Sequence, residues 1–204
     1  MLLMNNLIHY SILIVLSLLF WNCENDSIEP ESKPSINTKP EWRKGMPFNA
    51  DSAYLYIKNQ VNYGPRVPNT IQHKKCGDWL VNQLSNYGFE VTEQIGEVFA
   101  FNGSKLPVRN IIGVKNPEAK KKVLLCAHWD TRPFADRDSI NKTTPIIGAN
   151  DGASGVGVLL EIARALQQDS LDIAVEIIFF DVEDYGAPNM NNSFFDLQSM
   201  NDTW

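Results

Sequence analysis

The stretch VLLCAHWD, Val123 to Asp130, decides the fold. Its first five residues form a short apolar run with polar sequence on both sides. Such a run reads as a buried central strand of a sheet. His128 and Asp130 follow it at once. Alternate residues of an extended chain share a side, so the two face the same way.

Working outward, a second apolar strand covers Ile173 to Phe180 (IAVEIIFF) and runs into Asp181, Glu183 and Asp184. Between the two strands, Asp151 lies in the glycine-rich turn GANDGASG. A helix over Ala153 to Gln167 follows, with Val156, Leu159, Leu160, Ala163 and Leu166 on its inner face. Upstream, Asn49 to Tyr63 has helical spacing, with Asp51 near its start and Gly64-Pro65 as its stop. Thr70 to Tyr87 is a second amphipathic helix, ended by Gly88. Glu90 to Val98 and Pro107 to Val114 read as strands. Alternating strands and helices predict an α/β three-layer sandwich with a mixed, mostly parallel central sheet flanked by helices. Ligands of such sheets bind at the carboxyl ends of strands, so the three acidic clusters should meet at one rim.

The chain has 204 residues, 44% hydrophobic and 21% charged, enough for one globular domain plus extras. A net charge of −6 gives no basic footprint for nucleic acid. The run Lys120 to Lys122 reads as a solvated turn. Ile12 to Trp21 is apolar, of signal-peptide length and short for a membrane span. Residues 1–22 are therefore expected to be a signal peptide, with Cys23 the lipidated first residue of the mature chain. The alternative is an uncleaved N-terminal anchor. Residues 23–40, polar and rich in Pro and Ser, read as a flexible tether, and 41–204 as the folded portion. Export to the cell envelope follows, with a lipid or anchor holding the protein to the membrane on its periplasmic or outer surface. Cys76 falls in a helical pattern and Cys126 in a strand; they are either two buried thiols or a disulfide.

Each cluster has a bland reading beside the chemical one. A histidine near a core is commonly a satisfied loop residue. Asp130 is placed either to bind a metal or to hold the imidazole in one tautomer. Asn150, Asp151 and Ser154 all suit a helix cap, while a carboxylate at a tight glycine turn suits a metal. Glu183-Asp184 is either an exposed acidic turn or a pair whose repulsion a cation relieves. The glycine-rich segment lacks the Gly-Lys-Ser/Thr of a phosphate loop and the spacing of a nucleophile elbow.

Taken together, GPRVPNT, AHWDTRPFAD, GANDGASGVGVLLEIARAL and IIFFDVEDYG resemble the zinc aminopeptidase and glutaminyl cyclase superfamily, from about Tyr63 to Tyr185. The Trp in HWD, the RPFAD extension and the Glu-Asp order look most like its bacterial glutaminyl cyclase (glutamine cyclotransferase) branch. The resemblance implies a Zn2+ cofactor held by Asp151 and Asp184. It implies Glu183 as general acid/base, with Asp130 beside it among the catalytic groups. His128 is a metal ligand only in the binuclear aminopeptidase arrangement; in single-zinc cyclases the His128/Asp130 pair supports the site. The substrate would be a peptide or protein N-terminus. The activity would be conversion of N-terminal Gln to pyroglutamate with release of ammonia. The alternatives are a zinc aminopeptidase of the same fold, and a non-catalytic exported remnant or binding domain.

Relatives also carry a later histidine ligand, whereas His9, His73 and His128 are the only histidines of this sequence. The expectation is thus a C-terminally truncated, N-terminal part of the domain. It should fold poorly and show little activity, with the edge of its last strand and one sheet face uncovered.

Overall fold

The computed structural model describes residues 47–168 and 172–188. The leader, Cys23, the tether and the residues after 188 lie outside the described residues.

Helix α1 is Ala50–Asn62. Its cap is Asn49, whose side-chain oxygen accepts from Ser52 N at 2.9 Å. Asp51 lies in the first turn, where a carboxylate meets the positive end of the helix dipole. Helix α2 is Ile71–Asn86, capped by the Thr70 hydroxyl, which accepts from His73 N at 3.2 Å. Its buried residues His73, Cys76, Gly77, Leu80 and Leu84 recur at helical spacing. Strands β1 (Glu90–Phe99) and β2 (Lys105–Lys115) form an antiparallel hairpin. β3 is Lys122–His128, α3 is Ala153–Ala165 with a 3-10 turn Leu166–Gln168 behind it, and β4 is Ala174–Phe180.

The sheet order is β1-β2-β4-β3. β2 pairs with β4 antiparallel, and β3 pairs with β4 parallel. The sheet is mixed, and its parallel character is confined to the β3–β4 pair, so it is not mostly parallel among the described strands. The reason is the β1–β2 hairpin: a short turn joins only antiparallel strands, and β2 presents its second edge to β4 the same way.

The helices cover one sheet face. A side chain at Gly113 would meet Leu84 of α2, and one at Gly155 would meet Ala127 of β3. Gly113 and Ala127 are register partners of Ile177 and Phe179, so α2 and α3 share a face. Ile111, Ile177, Phe179, Leu80, Leu84, Val156 and Leu160 form the core there. α1 crosses α3 closely at Gly157, where an added Cβ would come within 2.9 Å of Ala53 O. No described element covers the opposite face.

That arrangement corrects three expectations. β3 is the edge of the described sheet rather than its centre, because the crossover through α3 returns β4 to the inner position. Leu124, on the sheet face that no described element covers, is 57% exposed. The uncovered edges of the described sheet belong to β1 and β3, not to the last strand. Cys126 is exposed rather than buried, since it alternates onto the open face; Cys76 is buried, and both thiols are free.

Candidate metal centre

β3 delivers His128 and Asp130, the turn before α3 delivers Asp151, and the turn after β4 delivers Glu183 and Asp184. The structure brings them to one rim. His128 Nε2 lies 2.9 Å from Asp151 Oδ1. His128 Nδ1 is 3.4 Å from Asp130 Oδ1 and 3.6 Å from Glu183 Oε2. These last two contacts are electrostatic, because the ring nitrogen is buried without a directed hydrogen bond. Asp151 and Asp184 line one cavity of about 580 Å3 together with Arg132, Phe134 and Arg137.

Local sequence explains the approach. Gly152 packs under His128: an added Cβ would sit 2.5 Å from His128 O, so only glycine lets the turn come so near. Gly152 is also the cap residue of α3 and offers no side-chain cap bond. Asp151 is therefore not a helix cap; its carboxylate turns to the imidazole.

Asp130 is 0% exposed. Its two oxygens accept from Glu183 N at 3.2 Å and Asp184 N at 3.1 Å. Both oxygens are thus engaged by the backbone of the acidic turn, an arrangement suited to positioning Glu183 and Asp184. Glu183, with a 62% exposed side chain, faces solvent on the rim.

Two cations outside the acidic motifs hold the surrounding loops. Arg66 is fully buried and donates to Trp129 O at 3.0 Å, Ile147 O at 2.9 Å and Gly148 O at 2.8 Å. It ties the long 131–150 loop to the end of β3. Arg132 donates from Nε and Nη2 to Asp136 at 3.0 and 2.7 Å, and from Nη1 to Asp184 O at 3.3 Å. Reading acids and histidines alone missed both. Their signal in the sequence was an arginine between two prolines in GPRVP and one beside proline in TRPFAD.

The charges oppose one another. Burial first, and then Asp151 and Asp130, push the Asp184 carboxyl up from 3.8 to about 6; Arg132 and His128 pull the other way. Asp130 leads the causes that lift His128 from 6.5 to about 9, opposed by burial and helped by Asp151 and Glu183. Both groups hold a proton more tightly folded than unfolded, so each contributes stability that is fully present below its unfolded value and lost as pH rises through its folded value. The metal-free chain is expected to lose stability between pH 3.8 and about 6 through Asp184, and again between 6.5 and about 9 through His128. Asp78, Asp138 and Glu161 hold their protons less tightly than usual and act in the opposite sense in the acid range. Urea unfolding of wild type beside Asp184→Asn in chelator therefore isolates the Asp184 part, and the same pH dependence in both contradicts it.

Zinc is the cofactor to test against these residues. Carboxylate oxygens with an imidazole are donors zinc accepts. Asp184 Oδ2 is buried with no hydrogen-bond donor, which is how an oxygen meant for a cation is found. Among the described residues no three His, Cys, Asp or Glu side chains stand at metal-binding spacing. The donor types, the unpartnered oxygen and the cavity that Asp151 and Asp184 share fit zinc. A second cavity, of about 590 Å3, lies between α2 and the β1–β2 hairpin. Its acids Asp78 and Glu93 are already paired with Arg109, so it offers no comparable centre.

Comparison with known proteins agrees with this geometry. Residues 110–193 match the model of Peptidase family M28. The chain is similar to a glutaminyl cyclase of Bacteroides thetaiotaomicron solved with N-acetylhistamine, at 53% identity and a TM-score of 0.70. That match covers 74% of this chain and 52% of the other. It is similar to a Zn-dependent exopeptidase of Parabacteroides distasonis at 52% identity and a TM-score of 0.70, covering 74% and 53%. Aminopeptidase YwaD of Bacillus subtilis is 30% identical over 138 residues, covering 66% of this chain and 28% of its own length. The chain thus spans about half the length of the solved structures it matches, and less of the curated relative. Motifs, rim and likenesses together match the chain to the zinc aminopeptidase and glutaminyl cyclase superfamily.

Proposed function

We propose that this rim holds zinc through Asp151 and Asp184 and serves a glutaminyl-peptide cyclotransferase. The substrate is a peptide or protein whose first residue is glutamine. Zinc supplies Lewis-acid polarisation of the glutamine side-chain carbonyl. Glu183, exposed at the rim, takes a proton from the substrate's α-amine as that nitrogen bonds to the side-chain carbonyl carbon. The same carboxyl returns the proton to the amide nitrogen, and the bond to ammonia breaks. Asp130 holds the backbone of Glu183 and Asp184 throughout.

The observation that carries the single-zinc reading is the His128–Asp151 contact at 2.9 Å. An imidazole whose Nε2 is bonded to a ligand carboxylate orients that carboxylate. A binuclear aminopeptidase, the second reading, needs that nitrogen free for another metal; the likeness to exopeptidases keeps it in view. Incubation of a zinc-loaded form that spans the full length of the matched structures with a Gln-initiated peptide, followed by mass spectrometry, separates them. Loss of one ammonia supports the cyclase, and loss of the whole first residue supports the peptidase. An unchanged peptide in the presence of bound zinc supports a binding domain and contradicts both enzymatic readings.

A further inference from the structure

One residue of the acidic turn stands in an unusual conformation. Val182 has φ 63, in the left-handed region that β-branched residues rarely adopt. Such a residue persists only where its surroundings fix it, and Val182 directly precedes Glu183 and Asp184. The fixing groups are on both sides. Ahead of the turn, Asp181 Oδ1 accepts from Val182 N at 2.8 Å. Beyond it, Asp130 takes the next two backbone N–H groups.

Asp181 is itself held from three directions. Its Oδ2 accepts from Arg109 N at 2.8 Å, and its own N–H donates to Asn110 Oδ1 at 2.8 Å. Its Oδ1 also meets His73 Nε2 at 2.7 Å. With the carboxylate as acceptor, the ring carries its proton on Nε2. His73 is fixed in turn: it lies in the first turn of α2, and its ring stacks on Trp129 with centroids 4.0 Å apart and planes 16° from parallel. Trp129 is the residue between His128 and Asp130. A buried stack therefore links α2, the end of β3 and the turn after β4, none of whose members touches the cavity between Asp151 and Asp184.

We propose that His73 and Asp181 are positioning residues that hold Val182 left-handed and thereby aim Glu183 and Asp184 at the rim. This inference rests on the zinc reading above for its consequence, but not for its geometry.

The test is a double-mutant cycle on the full chain. His73→Phe keeps a ring on Trp129 and removes the bond to Asp181. It is expected to weaken zinc affinity about 10-fold or more, the usual loss for an outer partner of a ligand. Val182→Gly adopts the left-handed conformation unaided, so zinc affinity stays near wild type. Added to His73→Phe, it should restore most of the lost affinity. His73→Gln, which keeps a donor of similar reach, should lose less than Phe. If His73 only packs the core, zinc affinity will not follow the mutations, and unchanged affinity in His73→Phe or no rescue by Val182→Gly overturns the proposal. Urea midpoints in chelator give a second readout. Val182→Gly should raise the midpoint in the wild-type chain and raise it less beside His73→Phe; equal gains overturn the proposal. Should the wild type bind no zinc, the zinc reading fails, and the urea cycle alone decides the positioning claim.

Discussion

Asp130→Ala is expected to destabilise the chain by about 3–5 kcal/mol, the range for removing one partner of a buried charged set. The carboxylate is fully buried and accepts one backbone N–H on each oxygen, from Glu183 and Asp184. Alanine leaves both donors buried and unpaired and removes the charge beside His128. Asp130→Asn should also be costly: its single oxygen satisfies one N–H, and its amide nitrogen faces the other. In both variants the His128 ring loses the main cause of its raised proton affinity. Urea unfolding measures the loss, and a variant already unfolded in water lies in the expected direction. A loss below about 1 kcal/mol, typical of an ordinary net hydrogen bond, would mean the turn stands without Asp130.

Asp184→Asn should act in opposite directions on stability and on zinc. In the metal-free chain at neutral pH the ionised Asp184 faces Asp151 and Asp130 across a partly buried site, with Oδ2 unpartnered. Removing its charge relieves that repulsion and is expected to raise stability by about 0.5–2 kcal/mol, as relief of a strained functional site commonly does. The same change removes a charged ligand oxygen. Zinc affinity should then fall beyond the roughly 10–100-fold seen for outer partners. Calorimetric titration with zinc and urea unfolding in chelator measure the two effects. Equal zinc binding in Asp184→Asn and wild type removes Asp184 from the ligand set.

The sequence carried the acids and their order well, because each follows an apolar strand that marks where the rim must be. VLLCA ahead of His128 and IAVEIIFF ahead of Asp181 are the two parallel partners of the structure. The helices were legible from their caps, Asn49 and Thr70. The strand order was not. An apolar run favours a strand that meets little water but does not say which neighbour it meets, so the apolar β3 stands at an edge of the described sheet. The role of Asp130 was legible only as a pairing with His128; that its oxygens take the Glu183 and Asp184 backbone depends on a contact between distant turns. His73 gave no local signal at all. It sits on an amphipathic helix among core residues, and its partner Asp181 lies 108 positions away.

The account depends on Asp151 and Asp184 sharing one cation at the sheet rim. Crystals of the chain grown with zinc, with anomalous scattering recorded at the zinc edge, test that directly. The account predicts a peak about 2.0–2.2 Å from a carboxylate oxygen of each residue. A peak bound elsewhere, or the two carboxylates on opposite sides of the sheet with no shared metal, would contradict it.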